Sequence, residues 1–204
     1  MGREFELKFR ADSEKIAAIR EHFGDFTPIS METTYYDTTD RTLGKLHWTL
    51  RRRLENGVSV CTVKTPAPGG GRGEWEVRCG DIREGIPVLC NLGAPKELKR
   101  YTKEGVLPIC GAKFIRLAKT IPVEGCTVEL ALDTGCLLGG GKELPFAEVE
   151  VEVKRGSEAV AAAFAEGLGA RFGLVPEAAS KYKRALTLAS TKAFPSGEGG
   201  SPEG

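Results

Sequence analysis

Charged and apolar side chains alternate along several stretches of the chain, and this alternation constrains the fold more than any other feature. In REFELKF, residues 3–9, the charged residues Glu4, Glu6 and Lys8 are separated by apolar ones. Because successive side chains of a β-strand point to opposite faces, such a strand has one charged face and one apolar face. A single strand of this kind is typical of a sheet whose charged face meets water. The recurrence of the pattern therefore decides what the charged face is for.

The pattern returns in at least five more stretches, which makes at least six candidate strands. These stretches are WTLRRRL (48–54), VSVCTVK (58–64), RGEWEVR (72–78), TVELALD (127–133) and FAEVEVEVK (146–154). The basic residues of the charged faces come from neighbouring predicted strands in the first half of the chain: Arg51, Arg53, Lys64 and Arg72. The acidic ones come from the two ends: Glu4, Glu6, Glu148 and Glu150. This segregation predicts that the charged faces share a function.

Amphipathic helices indicate which way the charged faces point. Helical patterns follow Asp12 and Ser157, and others lie in PKELKRYTKEG (95–105) and PEAASKYKRALTLA (176–189). Such helices need an apolar sheet face to cover, so the charged faces must point into a closed sheet. A sheet with its charged face in bulk water would also satisfy the alternation, but it would leave the helices without a partner surface. The predicted fold is α+β, a closed antiparallel β-barrel with a charged interior, covered outside by amphipathic helices.

Composition limits the remaining possibilities. The 204 residues are 41% hydrophobic, which fits one domain over residues 1–190 and a Gly/Ser/Pro tail or linker over 191–204. The net charge of +1 offers no overall attraction to nucleic acid or to an anionic membrane. The six cysteines form no C-x-x-C pair, and only two histidines are present, so a structural zinc site is not expected. With no apolar leader and no membrane-spanning run, the sequence predicts a cytoplasmic protein with reduced thiols.

Seven motifs occur in the order found in the CYTH superfamily, the triphosphate tunnel metalloenzymes, which the chain resembles over about residues 3–188. They are E-x-E-x-K (4–8), YYDT (35–38), LRRR (50–53), T-x-K (62–64), R-x-E-x-E (72–76), VELALDTG (128–135) and E-x-E-x-E (148–152). SKYKRAL, residues 180–186, is similar to the closing basic helix of that family. The resemblance implies an eight-stranded antiparallel tunnel that binds a triphosphate group together with one or two divalent metals.

The resemblance also assigns roles to residues. Expected phosphate ligands are Lys8, Arg51, Arg53, Lys64, Arg72, Arg116 and Lys181, since arginine and lysine suit phosphate oxygens. Expected ligands of Mg²⁺ or Mn²⁺ are Glu4, Glu6, Asp133, Glu148, Glu150 and Glu152. Glu4, Glu6 and Lys8 form the predicted catalytic motif, and Glu129 is expected on the tunnel wall. For Glu152, a salt bridge that supports the tunnel is an equally good interpretation.

The family contains several activities, and hydrolysis of inorganic triphosphate to pyrophosphate and phosphate is the first expectation. The alternatives are a class IV adenylate cyclase, a thiamine triphosphatase and a non-catalytic polyphosphate or nucleotide-binding domain. No motif provides a clear platform for a base or thiazole ring, which favours the small substrate. A ring of carboxylates would not help a pure anion binder, which favours an enzyme. The expected partner is a small-molecule triphosphate, without nucleic acid or membrane. A CHAD domain beyond the tail is a further expectation, and the sequence carries no signal for the oligomeric state.

Overall fold

One antiparallel sheet of nine strands and six helices make up residues 5–67 and 72–191, the parts of the chain that the computed structural model describes. The strands are β1 (Glu6–Arg10), β2 (Thr27–Asp37), β3 (Thr49–Glu55), β4 (Val58–Pro66), β5 (Arg72–Arg78), β6 (Leu107–Val123), β7 (Cys126–Gly139), β8 (Lys142–Gly156) and β9 (Val175–Pro176). The helices are α1 (Ser13–Phe23), α2 (Thr42–Lys45), α3 (Ile82–Asn91), α4 (Glu97–Tyr101), α5 (Glu158–Phe172) and α6 (Lys181–Ser190). The predicted α+β class is therefore confirmed.

The sheet differs from the predicted closed barrel of eight strands. Its order is β5-β4-β3-β2-β6-β7-β8-β1-β9, and within the described residues no hydrogen-bonded ladder joins the edge strands β5 and β9. The ninth strand contains only two residues, and Pro176 has no N–H to donate to a further ladder. The two residues pair with Phe9 and Arg10 of β1. The sheet is therefore not closed by hydrogen bonds at this edge.

Helices cover the apolar face of the sheet at two places, as the alternation predicts. Phe9, Leu130 and Val149 of β1, β7 and β8 share a buried core with residues of α1 and α5. We call the part of the sheet with this core, β1, β7 and β8, one arm, and the part formed by β3–β5 the other arm. On the other arm, Leu50 and Val63 share a second core with residues of α3 and α4. The charged side chains of the same strands therefore point to the opposite side, which we call the charged face. In the described residues, no helix is long and apolar enough to cross a membrane.

Helix α6 departs from the prediction that helices cover only the outside, because it lies on the charged face. It packs on Met31, Tyr35 and Phe114, which share a core with Ala185. Their register places them on the same side as the charged residues, since Tyr35 is opposite Arg51. The middle of the sheet carries apolar groups on this face, and α6 is the helix that buries them.

The position of α6 is set by close packing at one end and by a cap at the other. A Cβ on Gly139 of β7 would lie 2.5 Å from the carbonyl oxygen of Ala185, so the helix backbone approaches the strand too closely for any other residue. At the N-terminus, the Ser180 side chain accepts a hydrogen bond from the backbone N–H of Lys183. The helix begins at Lys181, five residues later than the sequence pattern predicts, because Val175–Pro176 pairs with β1.

Candidate functional site

Strand β3 presents two arginines to the charged face. Arg51 and Arg53 lie opposite Tyr35 and Thr33, whereas Arg52 points to the other face, as predicted from parity. One Nη of Arg53 donates to Glu55 at 3.1 Å, and one Nη of Arg51 lies 3.6 Å from a carboxylate oxygen of Glu74. The Nε atoms of Arg51 and Arg53 are buried and find no acceptor among the described residues. This pair of guanidinium groups is therefore incompletely compensated.

The electrostatics of Arg53 agree with that geometry. Burial lowers the pKa of Arg53 below its usual value, and the positive charges of Arg51 and Arg116 lower it further. The negative charge of Glu55 acts in the opposite direction but does not outweigh these effects. A buried cation with like charges around it gains most from an anion that comes from outside the chain.

Two further basic residues extend this surface onto β4 and β5. Lys64 Nζ lies 3.1 Å from a carboxylate oxygen of Glu74 on the neighbouring strand. Arg72, which is exposed, donates to the Thr49 hydroxyl at 3.0 Å and to the His47 carbonyl at 3.3 Å. We call the set Arg51, Arg53, Lys64 and Arg72 the basic wall.

Three carboxylates meet on the other arm of the sheet. Asp133 of β7 lies directly opposite Glu148 of β8, and Glu150 is two residues further along β8, on the same face. All three are buried, and one oxygen of each lies within 4.8 Å of the others. We call these residues the acid triad.

The ammonium group of Lys181 sits where the three carboxylates converge. Its Nζ lies 2.7 Å from Asp133 Oδ2, 2.5 Å from Glu148 Oε1 and 2.7 Å from Glu150 Oε1. It is also 5.2 Å and 5.5 Å from the ring centroids of Phe114 and Phe146, within the range of a cation–π contact. Burial opposes the charge, but the carboxylates outweigh it and raise the pKa of Lys181.

Two arginines hold the remaining oxygens of the acid triad. Arg116 binds both oxygens of Asp133, at 2.8 Å and 2.7 Å, and also contacts Glu150 Oε2. Arg184 of α6 contacts Glu148 Oε2. Together with Lys181, they set three cations against three carboxylates, so the triad is neutralised within the chain.

The neighbouring carboxyls Glu148 and Glu150 respond differently to this environment. Burial raises the pKa of Glu148 to about 7, against the opposing charge of Lys181. Burial acts in the same direction on Glu150, but the charges of Lys181 and Arg116 outweigh it and hold the pKa of Glu150 well below its usual value. Glu150 is therefore the carboxyl that remains ionised throughout the neutral range.

The other predicted site residues form a row beside the triad. Glu6, Glu152 and Glu129 lie opposite one another across β1, β8 and β7. Lys8 Nζ is 3.0 Å from Glu6, and Lys154 Nζ is 2.8 Å from Glu152. The Lys154 contact supports the salt-bridge interpretation of Glu152. Glu4 lies outside the described residues, so its role stays a prediction.

Arg184 is the charged residue of this site that the sequence prediction missed. It lies three residues after Lys181, so the two side chains share one face of α6. This spacing in SKYKRAL was the available signal. It also shows why Lys183, between them, is exposed and makes no contact with the triad.

The donor set of the triad fits a divalent metal. Mg²⁺ and Mn²⁺ prefer carboxylate oxygens, and the triad offers three of them at chelating separation. The Lys181 ammonium already makes ion pairs with one oxygen of each, which shows that this point accommodates a cation.

Comparison with known proteins agrees with this geometry. A profile of the CYTH domain matches residues 2–186. An inorganic triphosphatase from Haemophilus influenzae is 26% identical over 197 residues, covering 93% of this chain and 56% of that protein. The chain thus spans about half the length of this curated relative.

Several solved structures share the fold. A Hippeastrum protein, described as a candidate adenylyl cyclase with a dominant triphosphatase activity, has a TM-score of 0.63 at 19% identity and covers 95% of this chain and 98% of its own. The protein PH1819 of Pyrococcus horikoshii has a TM-score of 0.60 at 22% identity, covering 91% and 99%. A candidate adenylate cyclase from Bacillus halodurans has a TM-score of 0.58 at 21% identity, covering 88% and 96%. At these identities the likeness shows the fold.

Proposed function

We propose that this chain, which belongs to the CYTH domain family, is a metal-dependent hydrolase that cleaves inorganic triphosphate to pyrophosphate and phosphate. The observation that carries the proposal is the incomplete compensation of Arg51 and Arg53. Their buried Nε atoms have no acceptor among the described residues, and the positive charges of Arg51 and Arg116 lie near Arg53. A phosphate chain supplies several acceptor oxygens at once, and arginine binds phosphate bidentately.

The basic wall would hold the phosphate chain in this mechanism. Arg51 and Arg53 bind oxygens of the central and terminal phosphates, and Lys64 adds a compact charge from β4. Fixed cations at the position where charge develops stabilise the transition state without reorganising. Hydrolysis then needs an oriented water molecule, and no side chain has to act as a covalent nucleophile.

The acid triad would hold the metal, with Glu4, Glu6 and Glu152 as further candidates. Bound Mg²⁺ or Mn²⁺ would neutralise phosphate charge and lower the pKa of a coordinated water. Glu150 is suited to this role because its pKa is held low and it stays ionised. Lys8, beside Glu6 on β1, is proposed to contact the phosphate chain from the opposite arm of the sheet.

The names of the relatives support this choice and define its rival. The Haemophilus influenzae relative is an inorganic triphosphatase, and the Hippeastrum protein has a dominant triphosphatase activity. Other neighbours are named as candidate adenylate cyclases, so conversion of ATP to cyclic AMP is the second candidate function. Because the chain spans 56% of the Haemophilus protein, a single catalytic domain over residues 1–190 and a following CHAD domain both stay predictions.

A substrate panel tests the proposal. Triphosphate, pyrophosphate, ATP and thiamine triphosphate are each supplied with Mg²⁺ or Mn²⁺, and both phosphate and cyclic AMP are followed. We expect triphosphate to be the best substrate and pyrophosphate a poor one, because pyrophosphate leaves part of the basic wall unpaired. ATP should also be poorer, since its nucleoside adds bulk without a matching platform. Cyclic AMP as the main product from ATP, with no phosphate released from triphosphate, would replace the proposal by the cyclase function.

A further inference from the structure

Lys181 contacts the acid triad in a way that differs from the contacts of the two arginines. Its ammonium takes one oxygen from each carboxylate: Asp133 Oδ2, Glu148 Oε1 and Glu150 Oε1. The arginines hold the other oxygens, because Arg116 binds Asp133 Oδ1 and Glu150 Oε2, and Arg184 binds Glu148 Oε2. Only Asp133 Oδ2 is shared between Lys181 and Arg116. The arginines thus orient the carboxylates, and the inward oxygens converge on one point.

The converging oxygens leave room for one cation at a time. One oxygen of each carboxylate lies within 4.8 Å of the others, and Lys181 Nζ is at ion-pair distance from all three residues. A second cation at this point would face the ammonium at a few ångströms in a buried site, where like charges repel strongly. A divalent ion and the Lys181 ammonium therefore compete for the same three oxygens.

A lysine ammonium can leave the acid triad more readily than an arginine guanidinium can. An ammonium is a compact charge on a flexible four-carbon stem, whereas Arg116 grips Asp133 with two parallel hydrogen bonds. Lys181 is also the first residue of α6, and the cap that fixes this helix start is the Ser180 side chain bonded to the N–H of Lys183, which does not involve the Lys181 side chain. Displacement of the ammonium need not unfold the helix or release the arginines.

We propose that Lys181 is a built-in counter-cation of the acid triad that a divalent metal displaces, so that metal binding and release of the Lys181 side chain are one exchange. The next step rests on the proposed function: the released ammonium becomes available to bind the phosphate chain. Lys181 then has two successive partners, the triad before the metal arrives and the substrate afterwards. The apparent metal affinity is the intrinsic affinity multiplied by the fraction of molecules in which the ammonium has left the triad.

The test measures Mn²⁺ binding to the whole chain without any phosphate compound, by calorimetry and by the loss of the free-ion signal in electron paramagnetic resonance. Lys181→Met removes the competing charge and keeps a side chain of similar length. We expect the dissociation constant for Mn²⁺ to fall by at least about tenfold, because a like charge at close range is removed from a buried site. Lys183→Met is the matched control, since this exposed lysine lies two residues away on α6 and should leave the affinity unchanged.

A second measurement, the melting temperature with and without Mn²⁺, keeps the test valid if the variant is less stable than wild type. Without metal, Lys181→Met leaves three carboxylates facing two arginines, so its melting temperature should drop and Mn²⁺ should restore it. Wild type should gain less from Mn²⁺, because its triad is already neutralised. If Mn²⁺ binds Lys181→Met no more tightly than wild type, binds it more weakly, or gives it no larger thermal gain, the exchange is refuted and Lys181 is a permanent tie.

The result is independent of the proposed hydrolysis, because no substrate is present. A chain that fails to cleave triphosphate could still show the Mn²⁺ competition, and a chain that cleaves triphosphate could still lack it. The two failures are therefore distinguishable.

Discussion

The acid triad and the basic wall lie on the same face of one sheet and differ in how their charges are paired. In the triad, Lys181, Arg116 and Arg184 meet all three carboxylates at ion-pair distance. In the described parts of the chain, the Nε atoms of Arg51, Arg53 and Arg184 all lack an acceptor. However, an Nη of Arg184 contacts the buried Glu148, whereas an Nη of Arg53 contacts Glu55, which is 39% exposed. The triad therefore pairs its cations with buried carboxylates, whereas Arg53 of the wall pairs with a carboxylate that water reaches.

This difference predicts that the two regions contribute differently to the stability of the fold. A buried ion pair costs desolvation, and removing one partner is strongly destabilising because the other charge is left uncompensated. The triad ties α6 to β7 and β8 in this way. In the wall, Arg53 pairs with the partly exposed Glu55, so its charge contributes little to folding and can bind an anion. Removing a cation should therefore lower the free energy of unfolding in the triad and leave it constant or raise it at Arg53 of the wall.

The largest expected effect is the loss of hydrolysis in Glu150→Gln. The substitution removes one carboxylate charge at nearly constant shape, so the triad loses a metal ligand. We expect the turnover of triphosphate to fall by about a thousandfold, comparable to the loss of a key electrostatic group in an active site. Phosphate release at saturating and at limiting Mg²⁺ measures it.

Glu143→Gln is the matched control, since Glu143 lies on the same strand but is exposed. Full activity of Glu150→Gln at limiting Mg²⁺ would mean that the triad is structural only. The triad would then contribute to stability but not to metal binding or catalysis.

The next largest effect is on stability, in Arg116→Met. This change leaves Asp133 without its bidentate partner and Glu150 with one cation fewer. We expect the free energy of unfolding to fall by about 3 to 5 kcal/mol, as for other broken buried ion pairs. Urea denaturation without metal is the measurement.

Lys113→Met serves as the control on the same strand, because the Lys113 side chain is 70% exposed and its partner Glu32 is 50% exposed. Its effect should stay within about 0.5 kcal/mol. An equally small loss in Arg116→Met would show that the triad does not stabilise the fold.

The charged faces could be predicted from the sequence because strand parity is a local property. Arg51, Arg53 and Lys64 fall on one face by the two-residue period alone, and the structure places them there. The hairpin between β3 and β4 was equally readable, since Asn56 and Gly57 adopt the positive φ angles of 49° and 84° that their types favour.

Strand register and the placement of helices could not be predicted by the same reasoning, because they depend on contacts between distant parts of the chain. The pairing of Asp133 with Glu148 depends on register, and helix periodicity does not tell which face of a sheet a helix will cover. The prediction placed amphipathic helices outside the barrel and named only Lys181 of the closing helix as a site residue, so it missed Arg184, which reaches Glu148 because α6 lies on the charged face. The two-residue strand β9, too short for any pattern, was also missed.

A smaller but specific effect is expected on catalysis in Arg53→Met. Removing one guanidinium from the basic wall should cost about 2 to 4 kcal/mol of transition-state stabilisation. This corresponds to a fall in kcat/KM for triphosphate of roughly 30- to 1,000-fold. Arg52→Met is the control, because the neighbouring side chain points to the other face. Equal losses in both variants would indicate a general effect on β3 rather than a phosphate contact.

The smallest effect is the most direct test of the comparison, because it concerns the stability of the same Arg53→Met variant. Arg53 is partly buried beside Arg51, and its partner Glu55 is 39% exposed, so this ion pair is largely screened by water. Methionine has a similar length and no charge to desolvate. Replacing a poorly compensated buried charge with an apolar side chain is often neutral or stabilising, so we expect the free energy of unfolding to stay constant or rise by about 1 kcal/mol. Urea denaturation under the conditions used for Arg116→Met gives the value.

Adding triphosphate without metal should then stabilise wild type more than the variant, because the variant lacks one of its anion ligands. A loss of more than about 2 kcal/mol would place Arg53 among the structural ion pairs and remove the distinction between the two arms.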